Sequence, residues 1–415
     1  MESLARSARK ITWTLFAAQS LGSASFISAA TLSSILGARL GGSAAYAGFP
    51  SAVNLLGGAL AAPLWSLLMD RIGRRNGLAL GLLIGVIGSG VAFAAIVGGG
   101  MLAFLAGMGL MGLANAALGL GRFAAAEVHP PHQRGRAISY VVIGGTVGAI
   151  AGPLLVAPSG ALGLRAGFDV LAGPYAVGLI MLLLAAGVIF VWLRPDPREI
   201  GRQVAKDFPG SRAISADARP MRVIVRQPAA QVAMLAMIFG QMIMVAIMVI
   251  TALHMRSHDH SLGHVSAVIS AHTVGMFAFS IISGALADRW GRGPTILLGS
   301  GMLVVACWSA TLSPDLVPLA LSLFLLGLGW NLCFVGGSAL LADQLSPAER
   351  ARAQGVNDLL VGLASALASL LSGMVYAAIG FPAMALTAGG LAVLLLAAVA
   401  LWVGRKKHLP SPSAP

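Results

Sequence analysis

Seven of the seventeen methionines fall between residues 234 and 276, and five of the eight histidines fall between 254 and 272. Their spacing carries the chemistry. Met244-x3-Met248 and His272-x3-Met276 are i,i+4 pairs, each on a single helix face. Met237 and Gln241 extend the first stripe at helical intervals. Thioether sulfur is a neutral, soft donor that favours Cu(I), and imidazole accepts Cu, Zn and Ni. Three methionines and one histidine with no neighbouring carboxylate suit a soft monovalent cation held weakly enough to be released. Zinc would want more His or Cys, and Mg, Ca or Mn would want oxygen ligands. Methionine packing around a lone polar histidine accounts for the same residues, although a histidine inside an apolar span marks a functional candidate.

Two antiparallel helices joined by a short turn would bring the pairs to one level. Partners at equal depth then have equal index sums, as Met244 with Met276 and Met248 with His272 do. At 1.5 Å per residue, Met248 and His272 lie roughly 10–12 Å below the helix ends, and Met244 and Met276 roughly 16–18 Å. Between the pairs, His254, Met255, His258, His260 and His264 form a candidate metal-collecting segment. The spacings 254/258 and 260/264 suit chelation if the segment is partly helical. A hydrophilic turn with incidental histidines, beside a repelling Arg256, is the other reading.

The elements that hold these residues are membrane helices. Of 415 residues, 57% are hydrophobic and only 10% charged, with a mean hydropathy of +0.87. A soluble domain is about 25% charged. Each crossing needs about 20 apolar residues. Twelve such stretches occur, near 11–37, 43–69, 77–98, 101–125, 136–158, 171–193, 229–255, 264–287, 294–312, 316–340, 352–378 and 382–404. The first is too long for a cleaved signal peptide. With both termini inside, 24 of the 27 Lys and Arg lie in inner segments, leaving Arg39, Arg165 and Arg256 outside. The net charge of +13 therefore reports topology, and no nucleic-acid partner is expected. The basic tail Arg405-Lys406-Lys407 reads as a flank of the last span. Cys307 and Cys333, both in apolar runs, exclude a disulfide framework. No phosphate-cradling loop or nucleophile–base constellation is present, so no ATP-driven step, catalytic residue or enzyme activity is expected.

The chain is internally duplicated. Asp70-Arg71-Ile72-Gly73-Arg74-Arg75 recurs as Asp288-Arg289-Trp290-Gly291-Arg292-Gly293. Glu127-x3-Pro131-x2-Arg134-Gly135-Arg136-Ala137 recurs as Asp343-x3-Pro347-x2-Arg350-Ala351-Arg352-Ala353. The expected fold is an all-α membrane protein, with 12 transmembrane helices in two pseudo-symmetric six-helix bundles. The bundles take residues 1–193 and 229–415, with a cytoplasmic central loop at 194–228. Gly73 and Gly291 permit tight turns, while Asp70, Arg71, Arg74, Asp288, Arg289 and Arg292 form candidate conformational-switch loops.

These loops resemble the G-x-x-x-D-R-x-G-R-R signature of the major facilitator superfamily. The second copy fits well, and the first has Ser66 in place of the leading Gly. The resemblance covers nearly the whole chain and implies a secondary transporter working by alternating access. Gly144, Gly145, Gly148, Gly152 and Pro153 resemble part of the antiporter motif of drug exporters, with small-xxx-small helix packing as the competing explanation. Gln19, Asn54, Asn115 and Asn331 read as interhelical hydrogen-bonding groups. Arg122 and Asp358 are placed near inner span ends, leaving His272 as the one ionisable side chain well inside a span.

Met-x3-Met followed 28 residues on by His-x3-Met is similar to the signature of the CcoA-like copper importers of that superfamily. By this resemblance, Met244, Met248, His272 and Met276 bind copper. It further implies copper as transported substrate with no resident cofactor, import across the bacterial inner membrane, and supply of cbb3-type cytochrome c oxidase assembly. A copper chaperone or oxidase assembly factors would be its partners besides copper and the lipid bilayer, and the protein would be a monomer. Two alternatives stand: a same-fold carrier of an organic solute such as riboflavin or a drug, and a membrane copper sensor or assembly factor.

Overall fold

Apolar runs too long for a soluble core must satisfy their backbone hydrogen bonds internally, which in a bilayer favours helices. In the computed structural model, residues 2–207 and 219–407 are described, and their regular structure is helical throughout. The first half contains α1 (Glu2–Gly41), α2 (Phe49–Ile72), α3 (Arg74–Gly98), α4 (Met101–Gly119), α5 (Arg134–Leu154) and α6 (Gly173–Trp192). The second begins with α7 (Pro228–Ser257), then α8, which runs as Leu262–Phe277 and resumes as Ser280–Trp290. It continues with α9 (Arg292–Ser309) and α10 (Leu316–Ala342). Ten stretches are long and apolar enough to cross a membrane, the last being the 54-residue Arg352–Arg405. At 1.5 Å per residue that stretch is far longer than one crossing. Gly380, at φ +75°, divides it into α11 (347–379) and α12 (381–407). With the 18-residue α9, the crossings among the described residues number twelve, and the chain is a multi-pass membrane protein.

The duplicated sequence folds as duplicated packing. In the first half α1 packs on α5 and α6, α4 on α2 and α3, and α3 on α6. In the second half α7 packs on α11–α12, α10 on α8 and α9, and α9 on α11–α12. Small residues set the close approaches. A β-carbon at Gly144 would lie 2.6 Å from the Phe16 carbonyl oxygen, and one at Gly152 2.7 Å from that of Ala24. Between them, Gly148 lies against the Ser20 carbonyl with no room for a β-carbon. The glycine stripe of α5 is thus a helix-packing surface against α1. Large side chains point outward instead: Leu102 is 83% and Ile281 85% exposed, which suits lipid rather than water.

Three sequence expectations need correction. The eighth span is broken at 278–279 rather than continuous over 264–287. The fourth and fifth stretches each divide, continuing as Gly121–Glu127 and Val156–Arg165. The central segment contains two helices, Pro197–Asp207 and Met221–Val225. Residues 208–218 and 408–415, which include Arg212 of the central segment, lie outside the described residues.

The halves meet closely on the face opposite the termini. Ser369 of α11 donates a hydrogen bond to the Gly48 carbonyl (2.8 Å), where the two backbones touch. Nearby, a β-carbon at Gly373 would lie 2.9 Å from the Ala45 carbonyl. One at Gly362 would lie 2.9 Å from the β-carbon of Ala59, and Gly160 abuts Leu262.

Candidate functional site

His272 is fully buried on α8. Its Nδ1 lies 2.8 Å from the carbonyl oxygen of Leu323 on α10, and a carbonyl can only accept, so Nδ1 carries the hydrogen. In a neutral ring Nε2 then bears the lone pair, and this atom is buried without a hydrogen-bond partner. Metal-binding imidazoles are commonly arranged this way, with one ring N–H on a backbone carbonyl and the other nitrogen presented to the ion. Around the ring, α8 and α10 approach backbone to backbone. A β-carbon at Gly275 would overlap the Phe324 carbonyl, and one at Gly327 would overlap that of His272.

The other three members pair by level, but deeper than the roughly 10–12 Å and 16–18 Å expected, and α7 and α8 each pack far more extensively on α10 than on each other. Met248 and His272 are nine and ten residues from the turn-side ends of α7 and α8, and Met244 and Met276 are thirteen and fourteen. Those steps correspond to roughly 14–15 Å and 20–21 Å of helix. Met244 is buried, while Met248 and Met276 are half-buried. Both helices also meet at α10. Trp330 donates to Gln241 Oε1 of α7 (2.6 Å), and its ring meets Phe277 of α8 edge-on at 6.1 Å. The Met237 sulfur accepts from Ser338 (3.3 Å) and Asn357 (3.5 Å). The α7 stripe therefore faces α10 and α11, and α10 forms a shared wall for both motif-bearing helices.

The break in α8 falls directly after this site. Asn331 Nδ2 donates to the Met276 carbonyl (2.6 Å) and to Ser280 Oγ (2.9 Å). It thereby satisfies backbone at the interruption, as irregular membrane backbone requires. Asn54 similarly bonds the Met108 carbonyl (3.0 Å), whereas Gln19 bonds Ser23 on its own helix and Asn115 is exposed. Cys307 and Cys333 are buried, unpaired thiols. Arg122 lies over the ring of its neighbour Phe123. Asp358 lies eleven residues into α11 but only six beyond Arg352, where the apolar stretch begins. It is exposed, one turn from Gly362 on the α11 side that meets α2.

At the collecting segment the structure sorts the histidines into two pairs, His254 with His258 (ring centroids 4.4 Å) and His260 with His264. Met255 is fully buried. The His254 ring stacks on Phe381 at 4.0 Å, and the His254 carbonyl takes the Nδ1 hydrogen of His258 (2.9 Å). His260 and His264 instead bring their Nδ1 atoms within 3.2 Å of each other.

The switch loops are paired within their own halves. Arg74 bonds Glu127 (2.6 Å) and Asp70 (3.1 Å); Arg292 bonds Asp288 and Asp343 (3.1 Å). The two triads occupy matched positions of the duplication. Gly73 and Gly291 turn at φ +89° and +94°, a region open to glycine, and Arg71 and Arg289 are exposed. Sequence reasoning missed what anchors these regions to the central segment. Asp196 accepts from the backbone N–H groups of Arg74 (3.2 Å) and Arg75 (3.0 Å). Arg219 binds both carboxylate oxygens of Glu349 at 2.8 Å, and donates to the Gln344 carbonyl (2.7 Å). The Arg219 side chain, the Ser346 N–H and the Arg219 N–H hold the Glu349 carboxyl well below the usual carboxylate range. Ser346-x-x-Glu349 has the sequence pattern of a capping box, of which the Ser346 N–H to Glu349 bond (2.9 Å) is present; that pattern is the signal that could have singled out Glu349.

Comparison with known proteins gives the same architecture. The profile of the Major Facilitator Superfamily matches residues 14–270 and 232–415. The uncharacterized MFS-type transporter YdeG of Bacillus subtilis (strain 168) is 36% identical over 392 residues, covering 92% of this chain and 89% of that protein. The riboflavin transporter RfnT of Brucella anthropi is 32% identical over 369 residues, covering 89% of each. Among solved structures, the nucleoside transporter NupG superposes with a TM-score of 0.73 at 16% identity, covering 94% of this chain and 98% of that one. A D-xylose-proton symporter gives 0.72 at 18%, with 94% and 96% covered. These two likenesses concern the fold. Twelve crossings in two matched halves, the twin charged turns and the relatives along the whole chain agree, and the chain belongs to the Major Facilitator Superfamily of secondary transporters.

Proposed function

We propose that this transporter imports copper, as Cu(I), with Met244, Met248, His272 and Met276 as the ligands of its transport site. The observation that carries the reading is His272, whose Nε2 is buried without a hydrogen-bond partner while Leu323 orients the ring through Nδ1. Thioethers at matched levels of α7 and α8 would supply the rest of a neutral, soft donor set for a monovalent d10 cation. The distribution of basic residues supports both termini in the cytoplasm of a bacterium, with the chain in its inner membrane. On that orientation the seal at Gly48, Ser369 and Gly373 is periplasmic, and this state faces inward. Copper binds when the seal opens outward, the halves rock, and the ion leaves at the cytoplasmic side. The Asp70–Arg74–Glu127 and Asp288–Arg292–Asp343 triads hold each half together here and re-pair as the halves move. A membrane potential drives a monovalent cation inward with about 2.3 kcal/mol per 100 mV. The protein acts as a monomer without a resident cofactor. It passes copper to a chaperone or assembly factors that serve cbb3-type cytochrome c oxidase.

A second reading, carriage of an organic solute, is favoured by the 32% identity to the riboflavin transporter RfnT. Accumulation of radioactive copper and of riboflavin, in cells lacking their own importers, separates the two readings. Copper uptake that falls at least roughly tenfold in both Met244→Ala and His272→Ala, with no riboflavin uptake, supports the copper site. Riboflavin uptake indifferent to both substitutions supports the organic solute instead, and copper binding without transporter-dependent accumulation would indicate a sensor.

A further inference from the structure

The turn between α7 and α8 carries a second constellation, at the surface opposite the termini and far from His272. Asp259, at φ +60°, reverses the chain there. The reversal is held by the His260 N–H on the Met255 carbonyl (3.1 Å) and by Arg256 on the His260 carbonyl (2.7 Å). Ser261 then caps α8 by accepting from the His264 N–H (3.2 Å). These contacts fix both histidine backbones, one just before the cap and one in the first turn of the helix. The imidazoles meet with Nδ1 atoms 3.2 Å apart and ring planes at 68°.

The far nitrogen of His260 decides what this pair can do. Its Nε2 lies 2.9 Å from the carbonyl oxygen of Pro314, in the turn between α9 and α10. Nε2 therefore carries the hydrogen, and Nδ1 presents its lone pair toward His264. Two nitrogens bound at about 2.0–2.1 Å to one tetrahedral ion lie roughly 3.3 Å apart, close to the separation present here. We propose that His260 and His264 form a two-nitrogen chelating site for a borderline divalent transition ion, of the Cu(II), Ni(II) or Zn(II) class, with water completing the coordination.

On binding, the ion replaces the N–H···N bond between the rings. The His264 hydrogen moves from Nδ1 to its solvent-exposed Nε2, so both rings stay neutral and no net proton is released. The Pro314 carbonyl acts as the outer partner that orients a ligating histidine. Arg256 repels the ion, while Asp259 and Asp315, each beside one of these backbone contacts, supply compensating charge. Two imidazoles and water give weak, exchangeable binding, suited to collecting an ion at the mouth. His258 and His254 form a separate ring contact at 4.4 Å, with His254 also stacked on Phe381, and neither is paired with His260 or His264. The site does not depend on which substrate the transporter carries.

The test uses the full-length chain purified in detergent without a polyhistidine tag, titrated with Cu(II) and followed by electron paramagnetic resonance and calorimetry. We expect one Cu(II) per chain with a spectrum showing two nitrogen ligands. His260→Ala and His264→Gln should each weaken binding at least roughly tenfold, while His258→Ala leaves it unchanged. Thermal unfolding of each variant confirms that the fold is retained. Equal binding by the wild type and a His260→Ala/His264→Gln double variant would overturn the proposal, as would absence of stoichiometric binding by the wild type. Because the readout is equilibrium binding at the surface, failure of copper transport would leave it unaffected.

Discussion

An imidazole in the middle of a bilayer is costly unless its polar atoms are used. His272 uses Nδ1 on Leu323, while its Nε2 is buried without a hydrogen-bond partner. The two i,i+4 pairs were visible in the sequence because side-chain type and spacing survive in one dimension. The Leu323 carbonyl was not, since any residue offers a backbone oxygen and only the fold selects one. Glu349 is the converse case: its capping box was readable, but its partner Arg219, 130 residues earlier, was not. Its carboxyl is held below the ordinary value of 4.5 by Arg219 and the N–H groups around it. A depressed folded-state pKa contributes stability that is complete above the unfolded value and is lost as pH falls toward the folded one. Glu349→Gln should therefore lower the thermal midpoint at pH 7, and the gap from wild type should narrow only below about pH 4.5. A gap constant from pH 7 to pH 3 would contradict this account of the ion pair.

Helices are where sequence and structure agree most, because a membrane crossing needs a long apolar run and little else. Breaks inside crossings were harder to see. The interruption of α8 at 278–279 lies in Ala278-Phe279, with no Pro or Gly to mark it. Asn331, on another helix, stabilises it through the Met276 carbonyl and Ser280. The glycines of α5 fit two readings in the sequence, and the backbone contact of Gly148 with Ser20 accounts for them as packing. Gly148→Leu should force α1 and α5 apart and cost about 1–3 kcal/mol, as overpacking does, measured as a lowered unfolding midpoint in detergent. Gly145→Leu, whose β-carbon would meet the flexible Gln19 side chain at 3.3 Å, should cost less. Equal effects would count against the packing role of the stripe.

At the level of the whole molecule, the duplication was legible because two charged turns repeat at matched positions. Which face is sealed was not, since the seal is built from Gly48, Ala59, Gly362, Ser369 and Gly373, residues of no distinctive type. Alternating access requires that seal to open. Cysteines at Ala59 and Gly362, cross-linked in a background lacking Cys307 and Cys333, should hold the halves in this state and stop transport until reductant is added. Undiminished transport by the cross-linked protein would mean the seal need not open.

Uptake of Cu(I) by the purified protein in liposomes, read by an entrapped copper-selective chelator under reducing conditions, decides whether the protein carries copper through the Met/His site. The account predicts uptake by the wild type that an imposed inside-negative potential accelerates, and its loss in both Met244→Ala and His272→Ala. Wild-type liposomes that take up no more copper than empty ones, or variants that match the wild type, would contradict it.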